Sequence, residues 1–210
     1  MQKEIAKILK DKIFDLPFIE LIAGLTQPVS YQDKDANNEF RKVILPMAYD
    51  ITDKTETAAE CSVGKERDLV PNSDRKSIFY FEEIATGKIS GTGRPGSNSM
   101  QTTIRLVGWL NKQKLFGDNY ANIASFVNTA ILSRLVRKNP INEGNIKRLS
   151  ISVAGFPKPD ANLFSKYTYD ETIRQFLMPP FECTAIDFIC KYEISAACLI
   201  VPDWEGGNLC

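Results

Sequence analysis

Gly91, Gly93 and Gly96, in the run Gly-Thr-Gly-Arg-Pro-Gly, spell G-x-G-x-x-G, the spacing that cradles a dinucleotide pyrophosphate. That chemistry needs a strand before the turn and a helix after it, so that backbone amides meet the phosphates. Here Pro95 sits inside the turn and a strand-like pattern follows it. The glycines therefore read as a hairpin tip, with Arg94 available for an anion or an interface. Other motifs fail in similar ways. Val63-Gly64-Lys65 lacks the upstream glycine and following Ser or Thr of a phosphate loop. Ser62 with Lys65 and Ser73 with Lys76 satisfy S-x-x-K, but neither S-D-N nor K-T-G accompanies them.

Carboxylate chemistry fares no better. Glu82 and Glu83 are adjacent in a strand-like run, so they point to opposite faces and cannot flank one substrate. Asp50, Asp53, Glu56 and Glu60 lack the glycine-bearing Asp/Asn loop of a calcium site and read as a solvated acidic surface. Asp74-Arg75-Lys76 fits the D-x-K ending of a magnesium nuclease but precedes its strand and lacks an evident acidic partner. The chain has no histidine, which excludes histidine triads, Cys–His pairs and HExxH zinc sites within it. No cofactor or metal is expected, and the chain is not expected to be an enzyme.

Composition narrows the classes further. The 210 residues carry 26 basic and 26 acidic side chains, so no large positive field exists for indiscriminate nucleic-acid binding. With 43% hydrophobic residues, the chain can bury roughly 70% of its unfolded surface and needs no disulfide or metal to hold a core. The five cysteines, Cys61, Cys183, Cys190, Cys198 and Cys210, are odd in number and contain no C-x-x-C, which argues against a disulfide framework. No secretory signal or membrane span is apparent, so a reducing cytoplasm is the expected compartment.

Hydrophobic periodicity supplies the elements. Ile5, Ile8, Leu9, Ile13 and Leu16 mark an amphipathic first helix that Pro17 breaks. An apolar piece, Phe18 to Leu25, ends at Gly-Leu-Thr-Gln-Pro. Phe40 to Ile51 alternates as a strand in which Pro46 demands an edge or a bulge. Residues 52–77 form a polar insertion. Ile78 to Ile84 and Met100 to Leu110 read as the strands of a long hairpin around a glycine-rich linker, Thr86 to Ser99. Ile123, Phe126, Val127, Ala130, Ile131 and Leu135 make the stripe of a helix over 120–138, capped by Asp118 or Asn119 and stopped by Asn139-Pro140. Ile146 to Phe156 is a half-exposed strand, and Asp170 caps a short helix closed by Pro179-Pro180. Phe181 to Ile194 is a long strand with Ile186, Phe188, Cys190, Tyr192 and Ile194 on one face.

These elements predict an α+β fold: a mixed, mainly antiparallel sheet with a long β-hairpin, packed against an N-terminal and a central α-helix. One domain spans 1–194, with a tail at 195–210. Tyr167 and Tyr169, in a lysine-bearing loop, are a candidate contact surface. Trp204, in the polar tail, is a candidate anchor for docking.

The order of elements, from the helix ending at Leu16-Pro17 through the hairpin Ile78–Leu110 to the strand Phe181–Ile194, resembles that of the tail-terminator and neck-connector proteins of tailed bacteriophages. That resemblance implies a structural virion protein that closes into a homo-oligomeric ring, commonly a hexamer. Such a ring docks on other phage tail or neck proteins at the head–tail junction and leaves a lumen through which DNA passes without sequence-specific binding. It would be found in the host cytoplasm during assembly and then in the virion, without a membrane partner. On this reading the 86–99 tip and the 52–77 segment order on neighbours. The alternatives are a small magnesium-dependent nuclease or other histidine-free enzyme, and a cytoplasmic protein-binding module.

Overall fold

A computed structural model describes residues 1–34, 39–48, 50–54, 67–92, 97–117, 123–136, 139–158, 161–169 and 174–195. The first helix, α1 (Gln2–Ile13), buries Ile5, Ile8, Leu9 and Ile13 along one stripe. Lys10 is buried as well, its ammonium ion-paired to Asp50. The apolar piece that follows becomes strand β1 (Leu21–Leu25). The next strands are β2 (Gln27–Lys34), β3 (Phe40–Ala48), β4 (Ile51–Asp53), β5 (Arg67–Asp68), β6 (Ser77–Thr92) and β7 (Ser97–Asn111). A short helix α2 (Lys112–Phe116) and the central helix α3 (Ile123–Leu135) lead to β8 (Ile141–Glu143), β9 (Ile146–Gly155) and β10 (Phe181–Ser195). The fold is α+β, as its periodicities predict.

Seven strands form the main sheet in the order β4-β1-β6-β7-β10-β9-β8, and β2-β3-β5 form a second, small sheet. All pairs are antiparallel except β1 with β6. Period-two alternation divides the main sheet into two buried faces. Phe79, Phe81, Ile104, Leu106, Ile186 and Phe188 face α1 and α3. Ile78, Tyr80, Val107, Trp109, Cys183 and Ala185 face the small sheet, through Val43 and Leu45, and the segment around Leu163 and Phe164. The sheet is therefore cored on both sides.

Several boundaries differ from the sequence reading. The linker expected over 86–99 is mostly strand, since β6 runs to Thr92 and β7 begins at Ser97. Its extended backbone is held by β10, which pairs with β7 without interruption as far as Ser195 opposite Ser97. The strand expected over 40–51 ends at Ala48, and Ile51–Asp53 crosses to the other sheet. Pro46 lies opposite Pro28, and its carbonyl accepts from the Leu69 amide on the other side. Because N and C=O of one strand residue point the same way, the missing N–H faces the region beyond β5 and breaks no ladder bond. In α3 the buried stripe is Ile123, Val127, Ile131 and Leu135, whereas Phe126 is 58% exposed and Ala130 only half-buried. The proposed caps Asp118 and Asn119, the end of that helix at 137–138, and Asp170 lie outside the described residues. The insertion has structure at both ends, with Leu69 buried in the second core.

Gly108 marks the closest approach in this packing. A Cβ built there would lie 2.5 Å from Phe79 Cε1 and 2.9 Å from Thr184 Cγ2. Gly108→Ala should therefore cost about 1–3 kcal/mol in urea unfolding through overpacking. Gly155→Ala, where nothing lies within 4 Å of the added methyl, should stay within about 0.5 kcal/mol of the parent.

Candidate interaction surfaces and their charged anchors

The ionisable groups of the sheet are held in pairs. Arg105 stands in register between Glu82 on β6 and Asp187 on β10, making a charged row across three strands. Its guanidinium donates to both Asp187 oxygens, at 2.7 and 2.9 Å, and this bond raises the arginine pKa against the opposing effect of burial. Glu82 is buried. Its Oε1 accepts from the Tyr167 hydroxyl at 2.5 Å, and its Oε2 lies 2.7 Å from Lys166 Nζ. Glu83 points the other way, where Gln2 of α1 donates to it at 2.5 Å. The two glutamates thus stand on opposite faces, as adjacent strand residues must. Every oxygen of Glu82 and Asp187 already accepts a hydrogen bond or faces a cation, so neither is poised as a general base.

A second set of charges anchors the edge of the sheet. Glu20 and Asp53 converge on Arg75, at 3.2 Å and 2.7 Å, and both carboxylates are nearly fully buried. Glu20 also accepts from the Lys76 amide. Lys54 donates to the Leu16 carbonyl at 2.8 Å, and desolvation lowers its pKa more than nearby Asp15 raises it. The Asp74-Arg75-Lys76 triplet is therefore a pinned turn in which Arg75 makes the contacts. Asp74 is exposed, its amide donating to Asn72 Oδ1. Asp50 serves Lys10, and Glu56 and Glu60 lie outside the described residues. Among the described residues, no three His, Cys, Asp or Glu side chains cluster as a metal site would require.

The tyrosines expected as a contact surface are corrected by their burial: Tyr167 is 6% and Tyr169 5% exposed. They stack on each other at 5.9 Å and 26°, and their rings fill the second core because the main sheet is apolar on that face too. They border a cleft of about 460 Å³ with Phe164, Arg174 and Met178. The tyrosine cluster includes Tyr80, whose buried hydroxyl has no hydrogen-bond partner among the described residues. Of the glycine-rich tip, Gly91 is exposed at the end of β6, while Gly93, Arg94, Pro95 and Gly96 lie outside the described residues, as does Trp204. Cys183 and Cys190 are free and buried, and Cys61, Cys198 and Cys210 are not among the described residues.

Two surfaces escaped the sequence reading. The first is the outer edge of β6. β1 pairs with β6 only as far as Phe81, so among the described residues nothing pairs with this edge from Glu83 to Thr92. Ile84 is 43% and Ile89 70% exposed along it. The second is a groove of about 500 Å³ between α3 and the start of β10, bordered by Asn128, Leu132, Phe156, Glu182 and Thr184. No helix among the described residues is long and apolar enough to cross a membrane. No family model, no curated protein and no solved structure matches the chain.

Two tyrosine hydroxyls with opposite surroundings should respond oppositely to removal. Tyr167→Phe leaves a buried carboxylate without its donor and should cost about 1–3 kcal/mol in denaturant unfolding. Tyr80→Phe removes a buried hydroxyl that has no hydrogen-bond partner among the described residues and should be neutral or slightly stabilising. Alkaline pH probes the same region. Burial raises Tyr80 and Tyr167 above the usual value of 10, and lifts Cys183 and Cys190 from 9 to about 12. The folded state keeps protons that the unfolded chain releases, so stability from these groups is full below pH 9 and falls as pH rises beyond it. Urea midpoints measured across that range should decline, and Tyr80→Phe should reduce the slope.

Proposed function

We propose that this chain is a structural subunit that assembles into a ring at the head–tail junction, or at the end of the tail tube, of a phage particle. The observation that carries the reading is the arm formed by the far half of β6. It extends past the point where β1 stops, with its outer edge unpaired among the described residues and Ile84 and Ile89 exposed on it. Unpaired strand edges and exposed apolar side chains find partners in neighbouring copies, by strand addition or by burial in a groove. A repeated contact between two different patches generates a ring when its rotation closes. The order of elements supports the same reading, and the balanced charge suits a lumen through which DNA slides without being gripped.

In this role the protein acts by docking. The charged row and the Arg75 cluster hold the sheet rigid, and the arm reaches outward. Light scattering after size exclusion, over a range of concentrations, should show a discrete multiple of the 23.6 kDa protomer. Negative-stain images of that species should show closed rings. A strictly monomeric protein under all conditions, with tail and neck proteins present as well as absent, would overturn the reading.

A further inference from the structure

Beyond Arg105, the face of the main sheet that holds the second core carries only exposed and half-buried side chains among the described residues. Strand register gives their layout. Gln101 on β7 lies between Lys88 on β6 and Lys191 on β10, and Lys191 lies opposite Ser150 on β9. One row nearer the core stand Thr103, Ile189 and Ser152, and one row farther out stand Ser99, Glu193 and Lys147. The reverse of the same strands is cored, with Ile151, Cys190, Tyr192 and Ile194 buried there. This half of the sheet is therefore an open face with a packed backing.

Charge is unevenly divided on it. Lys88, Lys147, Arg148 and Lys191 stand against one carboxylate, Glu193, which lies opposite Lys147 and 3.6 Å from Arg148. Asp187 and Glu82, at the inner boundary, are already held by Arg105, Lys166 and Tyr167. The zero net charge of the whole chain thus conceals a local excess of positive charge. Between the cations the face offers hydroxyls and an amide, and Ser90 and Ser99 are tied by a 3.0 Å hydrogen bond. Lysine, arginine, serine, threonine and glutamine are the side chains that bond to the phosphate and sugar oxygens of DNA. No aromatic side chain among the described residues of β6, β7, β9 and β10 lies on this part of the face. It therefore lacks the stacking platforms that hold single-stranded nucleic acid.

Resting on the ring reading, we propose that this half-face is the wall of the lumen, where Lys88, Lys147, Arg148 and Lys191 meet the sugar–phosphate backbone of duplex DNA. So few contacts from each copy give a weak, sequence-independent attraction that salt readily screens, which suits DNA that slides.

The test measures binding of the full chain to a short duplex by fluorescence anisotropy over a range of salt concentrations. Log affinity should fall linearly with log salt, and equally for a duplex of unrelated sequence. Lys88→Gln combined with Lys191→Gln should weaken binding at low salt about tenfold and lower that slope by about 2 for each protomer in contact. Lys3→Gln combined with Lys7→Gln removes the same charge from α1, which packs on the other side of the sheet, and should leave both values near the parent's. Thermal melts of both variants should match the parent, since all four lysines are exposed. Equal losses from the two pairs would mean a response to net charge alone and would overturn the assignment. Tighter binding to the single strand, or to polyglutamate, would overturn duplex DNA as the occupant in favour of an unstacked strand or an acidic protein. Light scattering on the same samples follows the ring separately. Rings that form yet bind no duplex overturn this inference alone, whereas a strict monomer whose duplex binding needs Lys88 and Lys191 overturns the lumen and keeps the contact.

Discussion

The pairing of β7 with β10 is the constraint on which the rest of the structure depends. It runs in one register from Asn111 opposite Phe181 to Ser97 opposite Ser195, without a bulge. Two strands of that length at the centre of a sheet expose two long faces, and apolar side chains occur on both. Leu106 and Ile186 demand cover on one side, Val107 and Ala185 on the other. The helices meet the first demand and the small sheet with the tyrosine segment meets the second. The first layer follows β10 to its far end, where Tyr192 and Ile194 are buried in it, whereas the second stops near Arg105 and leaves the far half of β6 exposed.

The charged row of Glu82, Arg105 and Asp187 lies where the second core stops. Toward Trp109 the face is apolar and buried; beyond Arg105 it continues with Thr103 and Gln101, both only half-buried. Such a boundary is a poor place for an isolated charge, because partial burial removes water without supplying a replacement. The bidentate Arg105–Asp187 pair and the Tyr167 and Lys166 contacts to Glu82 supply it. Breaking a buried set costs more than forming it gains, since one member would be left uncompensated. The row therefore fixes where the tyrosine segment lands on the sheet. The Arg75 cluster does the same for the returning end of the insertion at the opposite edge.

Elements whose pattern comes from one face were legible in the sequence. Helix α1, the β6–β7 hairpin and the alternation of Ile186, Phe188 and Cys190 all follow from simple periods, because each buries one side against a single layer. The assignments that failed depended on a second neighbour. Strand β2 looked like a stop because Pro28 and the polar run after it give no clear alternation, and only pairing with β3 makes them a strand. Glycines and serines over 86–99 resemble a linker until β10 is known to lie alongside. Tyr167 and Tyr169 sit among polar residues, which hid that the sheet above them is apolar. Lys10 reads as a solvent-facing lysine, and nothing local reveals Asp50 forty residues on. Phe126 was misplaced for the opposite reason: α3 is so uniformly uncharged that its buried side cannot be told from its exposed one.

The exposure of the arm has a consequence of its own. A long unpaired edge invites indiscriminate strand pairing, and proteins commonly guard against it with bulges that spoil a flat ladder. The β6 edge has register shifts between Glu83 and Ala85, between Ala85 and Lys88, and between Ile89 and Gly91, so the exposed part of the strand is nowhere regular for long. An arm built this way rejects a generic strand but still presents Ile89 at a defined point. The zero net charge fits the same logic. With balanced charge there is no net field to steer a partner over distance, so on the proposed ring reading specificity would rest on contact between patches that match.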